Sequence, residues 1–312
     1  MHVFITGATG YIGGSVAAVL LKAGHEVSGL ARDTAKAASL QAQGISPVLG
    51  DLDDREALIK GASAADAVVN AADSDHLPAA EALIEALAGT GKALLHTSGS
   101  SIVSADDQGT GPGRIFTEAD VLAEAGWKPE PDKAHRVAID RLVLAASRRD
   151  VRSVVLCNTL IYGHGLGLHR DSVQVPLLAR QARNSGVARH IGPGDNVWST
   201  VHIEDVASLY VKALRKASAG SFLFVENGEA RFGDIAQAVA DAYQLGTAQS
   251  WDIDSAIAEW GSGYARNGLG SNSRVRSTVT RTELDWQPAH ASVTDWIRKE
   301  LRNDPADDPT VR

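Results

Sequence analysis

The first half of this chain predicts an α/β fold built on a doubly wound parallel sheet. Three observations predict it. Apolar, strand-like runs alternate with segments of helical period. A glycine-rich turn joins the first strand-like run to the first helical one, and the regular alternation stops after Tyr162-Gly163. At 312 residues the chain can bury a core large enough for such a sheet and a smaller C-terminal lobe.

Taken in order, residues 2–5 read as a short buried strand, and 14–23 carry Val16, Val19 and Leu20 at helical spacing. Strand-like runs follow at 26–30, 46–49, 67–70, 93–97 and 153–157. Amphipathic segments at 34–43, 55–60, 78–89 and 132–149 separate them. Beyond Gly163 come a polar, glycine-rich stretch at 163–171, a helix at 173–185 and a turn at Gly192-Pro193-Gly194. Helices are expected again at 203–217 and 232–243, and a strand at 221–225 should rejoin the main sheet. The expected division is a first domain over 1–163, with 200–235 returning to it, and a second lobe from 164–199 and 236–302. Trp198, Trp251, Trp260, Trp286 and Trp296 read as core or rim packing. Residues 303–312, rich in Asp and Pro, read as a disordered tail.

Composition excludes several classes of function. A net charge of −8 and a pI near 5.7, with no basic stripe, oppose a nucleic-acid surface. No apolar run is long enough to span a bilayer. No export signal is visible, and the single cysteine, Cys157, cannot form an intramolecular disulfide, so a cytoplasmic location is expected. Cys157 lies in the apolar run Val154-Val155-Leu156 and reads as a buried thiol.

The turn Thr6-Gly7-Ala8-Thr9-Gly10-Tyr11-Ile12-Gly13 stands in a strand–turn–helix frame, which makes it the fingerprint of a Rossmann-type dinucleotide site. Gly7 allows the tight turn, Gly10 the approach of phosphates and Gly13 the close packing of helix on strand, while the helix N-terminus attracts the anion. Thr9, Tyr11 and Ile12 complete the turn. The second strand-like run ends at Ala31-Arg32-Asp33. Ala31 occupies the place of the acid that would bind a ribose 2′-hydroxyl, and Arg32 would accommodate a 2′-phosphate, so NADP(H) is favoured over NAD. The alternative is that Asp33 takes the acidic role late. Asp51 and Leu52 follow the third run, Asn70, Ala71 and Ala72 the fourth, and Asn158 closes the sixth; all are candidates for the cofactor wall.

Together with Ile161-Tyr162-Gly163, the segment 198–207 and the segment 282–288, these motifs resemble the extended short-chain dehydrogenase/reductase superfamily, which includes nucleotide-sugar epimerases and dehydratases. The resemblance covers nearly the whole chain. It implies a Tyr-x-x-x-Lys pair on the helix after the fifth strand, the tyrosine exchanging a proton with substrate and the lysine lowering its pKa and holding the nicotinamide ribose. Here Asp132 falls at the tyrosine position and Arg136 at the lysine position, as in the atypical members that lack the usual catalytic residues. Arg136 can still hold ribose hydroxyls, but guanidinium does not readily give up a proton. Asp132 would serve as an acid only with a strongly raised pKa.

The resemblance places a Ser or Thr that orients the substrate oxygen at Gly99, so Ser98 or Ser100 would supply the hydroxyl after a shift of one residue, Ser98 being preferred. His135 is the first alternative proton donor, although adjacent helix positions lie about 100° apart and it cannot point with Arg136. Tyr162, at the end of the next strand, is a further candidate. His164, His169 and His202, with Asp171 or Asp205, lack metal-ligand spacing, and no metal is expected; Glu204 and Asp205 read as favourable charges at a helix N-terminus. The expected function is NADPH-dependent reduction of a carbonyl on a small organic molecule. The alternatives are a non-catalytic NADP(H) sensor and an epimerase or dehydratase. A homodimer through 78–89 and 132–149 is also implied by the resemblance.

Overall fold

The structure is a computed structural model describing residues 1–122 and 126–303. Its main sheet takes β1 (His2–Thr6), β2 (Glu26–Ala31), β3 (Ser46–Leu49), β4 (Ala67–Asn70) and β5 (Ala93–Gly99) from the first part of the chain. A short β6 (Ile115–Phe116) precedes β7 (Arg152–Asn158), and β8 (Leu160–Tyr162), β9 (Arg189–Ile191) and β10 (Val197–His202) lead to β11 (Ser221–Val225). The seven-stranded order is β11-β7-β5-β4-β1-β2-β3, with every pairing parallel. The chain winds outward in both directions from β1, so the switch point lies between β1 and β4, where such sheets bind ligands.

The helices are α1 (Tyr11–Lys22), α2 (Thr34–Ala42), α3 (Arg55–Ala64), α4 (Leu77–Leu87), α5 (Glu118–Leu122), α6 (Ala134–Ala145), α7 (Gln174–Ser185), α8 (Ile203–Lys216), α9 (Phe232–Tyr243) and α10 (Ile253–Trp260). Strand alternation sends Val3 and Ile5 into one core with Val16, Leu20, Val206 and Leu209, and Phe4 into the other with Leu58, Leu83 and Val137. Both faces of the central strands are covered, which is why β1, β4 and β7 read as nearly continuous apolar runs. Cys157 is fully buried in the second of these cores. Asp33 and Asp54 cap α2 and α3 by accepting from Lys36 and Ala57 N–H groups. α1 starts three residues before the expected helix, because its first turn carries the glycines and Ile12 rather than an amphipathic pattern.

A third core gathers Tyr162, Leu178, Trp198, Phe232, Trp260 and Ile297 under α7, α9, α10 and the helix Val293–Glu300. The two lobes interleave. β10 pairs with β8 in a small separate sheet, the chain then enters α8 beside α1, and β11 adds to the main sheet next to β7. Buried carboxylates tie the C-terminal segment down. Glu118 accepts from the hydroxyls of Ser277 and Thr278 and from the Thr278 N–H, and Asp205 accepts from the Ala289 and His290 N–H groups. Asp205 is therefore a structural anchor as well as a helix N-terminal charge. Among the described residues, no helix is long and apolar enough to cross a membrane. Residues 304–312, nearly all of the expected tail, lie outside the described residues.

Candidate active site

Backbone contact makes two of the turn glycines obligatory. Gly7 has φ +73°, and a Cβ there would lie 2.6 Å from the Ala71 carbonyl oxygen; a Cβ on Gly13 would lie 2.4 Å from the Gly7 oxygen. Gly10 caps α1 with no side chain, which leaves the opening N–H groups of the helix for an anion. This cradle fits a dinucleotide pyrophosphate. Thr9 is part of the turn, Ile12 lines the neighbouring cavity, and the Tyr11 hydroxyl donates to the Gly163 oxygen at 2.8 Å, locking the inter-lobe loop.

Arg32 is exposed at the end of β2, while the Asp33 carboxylate is committed to capping α2. Asp51 accepts from the Asp53 and Asp54 N–H groups, and Leu52 packs against the core under α3 and α4. Ala71 and Ala72 abut Gly7. Asn70 instead turns its side chain into the protein, accepting from the Thr6 hydroxyl at 2.6 Å and reaching His96 Nδ1 at 3.0 Å.

Beyond the turn, a cavity of about 900 Å³ opens over the ends of β5 and β7. Ile12, Ile161, Val173, Trp198 and Trp260 form its apolar wall, and Ser98, Ser101, Asn158, Lys133, His135 and Arg136 its polar side. The α6 helix delivers Arg136, whose guanidinium forks onto Asp75, with Nε to Oδ1 at 2.8 Å, and donates from Nη1 to Ser101 Oγ at 3.0 Å. Arg136 holds the Asp75 carboxyl below the usual carboxylate range. A Cβ at Gly99 would reach Arg136 Nη1 at 3.7 Å, so the place where the resemblance puts a hydroxyl is open beside the guanidinium. Asp75, Ser101 and Lys133 were not singled out by sequence reasoning. The only signals were the serine run after β5 and the charge beside Asp132.

The candidate proton donors separate clearly. Asp132 is exposed, and Lys133 at 2.6 Å and Asn267 at 3.2 Å lower its pKa, the opposite of what an acid needs. Tyr162 is fully buried in the second lobe, donates to the His290 oxygen at 3.1 Å and packs on His202 and Trp296, outside the cavity lining. His135 borders the cavity but is exposed, with Nε2 held 2.9 Å from the Asp75 backbone oxygen. Ser98 reaches the cavity wall, yet its hydroxyl donates to buried Asp140 at 2.8 Å; Ser100 bonds the buried Ser273 hydroxyl instead. Asn158 donates to the Tyr210 hydroxyl at 3.0 Å and leaves its buried Oδ1 without a partner.

Among the described residues, His202, Glu204 and His290 come close enough to hold an ion. Their geometry does not favour one. The two imidazoles are stacked at 3.9 Å and 23°, so their lone pairs run side by side rather than converge, and His202 Nδ1 already accepts from the Glu204 N–H.

The NAD dependent epimerase/dehydratase family matches residues 3–222. The chain is 34% identical over 323 residues to the oxidase ucsJ of an Acremonium species, with 92% of each covered. It is 28% identical over 251 residues to the 2-alkyl-3-oxoalkanoate reductase of Stenotrophomonas maltophilia, covering 73% of this chain and 71% of the reductase. In fold it is similar to the UDP-glucose 4-epimerase of Thermotoga maritima, with a TM-score of 0.75, 14% identity, and 96% and 97% of the two chains covered. The glycine cradle, most of the parallel sheet and the altered pair at and just before α6 thus sit within one match: the chain belongs to the NAD dependent epimerase/dehydratase family, and with it to the nicotinamide-dependent oxidoreductases.

Proposed function

We infer that this chain reduces an aldehyde or ketone carbonyl of a small, partly apolar molecule at the expense of NADPH. The cavity carries the reading. It sets an apolar, tryptophan-containing wall against hydroxyl, amide and guanidinium groups at the ends of β5, β7 and α6, next to the dinucleotide turn. Such a pocket buries a modest organic molecule and orients it by a few polar contacts. A bound nicotinamide would supply a hydride to the carbonyl carbon; the chain must position the carbonyl and provide a proton. Arg136, fixed by Asp75 and Ser101, would hold ribose hydroxyls in this reading, and Asn158 borders the same space. The preference for NADPH rests on the division of labour at the end of β2, where Asp33 is used as a cap and Arg32 stays exposed. The similarity to an oxoalkanoate reductase supports a carbonyl substrate.

One observation favours a second reading, an NADP(H) sensor without turnover. Asp132 is held ionised at the tyrosine position, and Arg136 replaces the lysine. Titration of nicotinamide fluorescence with NADPH and NADH, followed by oxidation assays on 3-oxo esters, aldehydes and cyclic ketones, separates the readings. NADPH binding with turnover supports the reductase. Tight NADPH binding without oxidation across that panel would favour the sensor.

A further inference from the structure

Beneath the cavity lies a buried polar chain that the family resemblance does not explain. It runs across the ends of β1, β4 and β5 to α6. The Ala71 N–H donates to Thr6 Oγ1 at 3.1 Å, and the Thr6 hydroxyl donates to Asn70 Oδ1 at 2.6 Å. That polarity turns the Asn70 amide nitrogen to His96 Nδ1 at 3.0 Å and leaves the imidazole proton on Nε2. His96 Nε2 faces Asp140 Oδ1 at 3.7 Å, and both atoms are buried with no hydrogen-bond partner. The other Asp140 oxygen accepts from Ser98 Oγ at 2.8 Å, and Ser98 lines the cavity. His96 is 1% exposed and Asp140 2%. Unpaired buried polar atoms are costly and concentrate where function keeps them.

We propose that Ser98 gives its hydroxyl proton to the substrate oxygen, that Asp140 behind it replaces that proton, and that His96, oriented by Asn70 and Thr6, receives the resulting carboxylate. The proposal rests on the reductase reading and names its proton source. Protonated on Oδ2, Asp140 donates along the same 2.8 Å contact and frees the Ser98 O–H for the substrate; the oxygen left negative by hydride addition takes the Ser98 proton, and Ser98 takes the Asp140 proton. Asp140 Oδ1, now charged, draws in the His96 Nε2–H across the 3.7 Å gap, and solvent restores the carboxyl after product leaves. Ser98 is the catalytic residue in this scheme and Asp140 a positioning residue that acts through it.

The surroundings agree. The Ser98 hydrogen bond and, after it, Arg136 on the same helix favour the Asp140 carboxylate and Asp75 beyond opposes it, while Cys157 on β7 stays a neutral thiol. Burial outweighs them and pushes the Asp140 carboxyl up to about 7; His96 is driven down to about 4 by the same desolvation. A carboxyl poised near neutrality and an imidazole that remains neutral are the pair this transfer needs.

The test combines kinetics with direct titration. In the wild type, kcat should fall above about pH 7, where Asp140 loses its proton. Asp140→Asn and Ser98→Ala should lower kcat by roughly 10²–10⁴-fold, flatten that alkaline limb and leave NADPH affinity within about twofold. Ser98→Thr should restore most of the rate. Infrared difference spectra of wild type against Asp140→Asn should show a protonated carboxyl that titrates near neutrality without any substrate present. An Asp140 that ionises in the usual carboxylate range, or an Asp140→Asn enzyme with an unchanged pH profile, overturns the relay. A wild type that oxidises no NADPH overturns the reductase reading instead, and the infrared titration keeps the two failures apart.

Discussion

The two ends of the cofactor site are specified by different means. At the phosphate end the determinants are backbone: Gly7 and Gly13 sit so close to carbonyl oxygens that a single added carbon would collide. At the α6 end the determinants are side chains, and the Arg136–Asp75–Ser101 cluster with the Ser98–Asp140–His96 chain stands where the family resemblance implies a tyrosine and a lysine. The contrast teaches that steric constraint fixes the ligand-binding frame, while the chemistry above it can be rebuilt from whatever groups the strand ends and helix present.

The largest effect on cofactor binding should come from breaking the backbone end. Gly13→Val places a Cβ 2.4 Å from the Gly7 oxygen, a contact relieved only by moving β1 away from α1. NADPH affinity should fall at least ~100-fold, a loss of roughly 3 kcal/mol, and the melting temperature should fall with it. Binding that survives in a well-folded Gly13→Val protein would mean the pyrophosphate lies elsewhere.

Within the side-chain end, the Arg136 cluster should break more gently. Arg136→Ala strands the Asp75 carboxylate and the Ser101 hydroxyl, so kcat/KM should drop by roughly 10- to 100-fold, in keeping with the loss of a charge-assisted pair. Arg136→Lys should recover little, because one ammonium cannot reproduce the fork onto Asp75 together with the bond to Ser101. Steady-state assays of the three proteins decide this, and full rescue by lysine would show that only charge matters there.

The same contrast explains what sequence reading reached. The strand expected at 221–225 is β11 to the residue, and those expected at 46–49 and 67–70 are β3 and β4; β4 and β11 were legible because buried parallel strands leave apolar runs, and the exposed edge strand β3 through its Val48-Leu49 pair before Gly50. The glycines were legible for an equally local reason. Asp75, Ser101, His96 and Asp140 were not, since their meaning arises only when the ends of β4 and β5 meet α6. Asp140 lies 42 residues from Ser98, and nothing in periodicity pairs them. Tyr162 misled for the converse reason: it ends a strand beside the cavity, but its alternation turns it into the second lobe, onto His202.

A smaller change should come from Arg32, at the outer edge of the backbone end. Arg32→Ala should weaken NADPH by roughly 10-fold, about 1–2 kcal/mol for a charge-assisted contact at an exposed site, with NADH unaffected. Fluorescence titrations with both cofactors read the ratio directly. Equal weakening of both would assign Arg32 to the shared part of the dinucleotide, and the contrast between the cofactors would then have to come from Asp51 or the β2 backbone.

The smallest effect is expected at the seam that holds the second lobe over the α6 end. There His202 stacks on His290 above Tyr162 and Trp296, and burial, with the neighbouring imidazole, lowers the His202 pKa to about 4. The sign follows from linkage. The folded group resists protonation more than the unfolded one, so its contribution to stability is intact above about pH 6.5 and declines as pH falls towards 4. His96 adds a decline in the same window, while Asp140, with its raised pKa, works in the opposite sense as pH rises from the ordinary carboxylate range to about 7. A His202→Asn variant keeps an acceptor to cap α8 and removes one titrating group. Its melting temperature should fall less steeply than that of the wild type between pH 6.5 and 4, by about 2–4 °C for each kcal/mol of linkage removed. Parallel melting curves would mean that the stack is open to water and that the lobe is held by the Asp205 and Glu118 anchors alone.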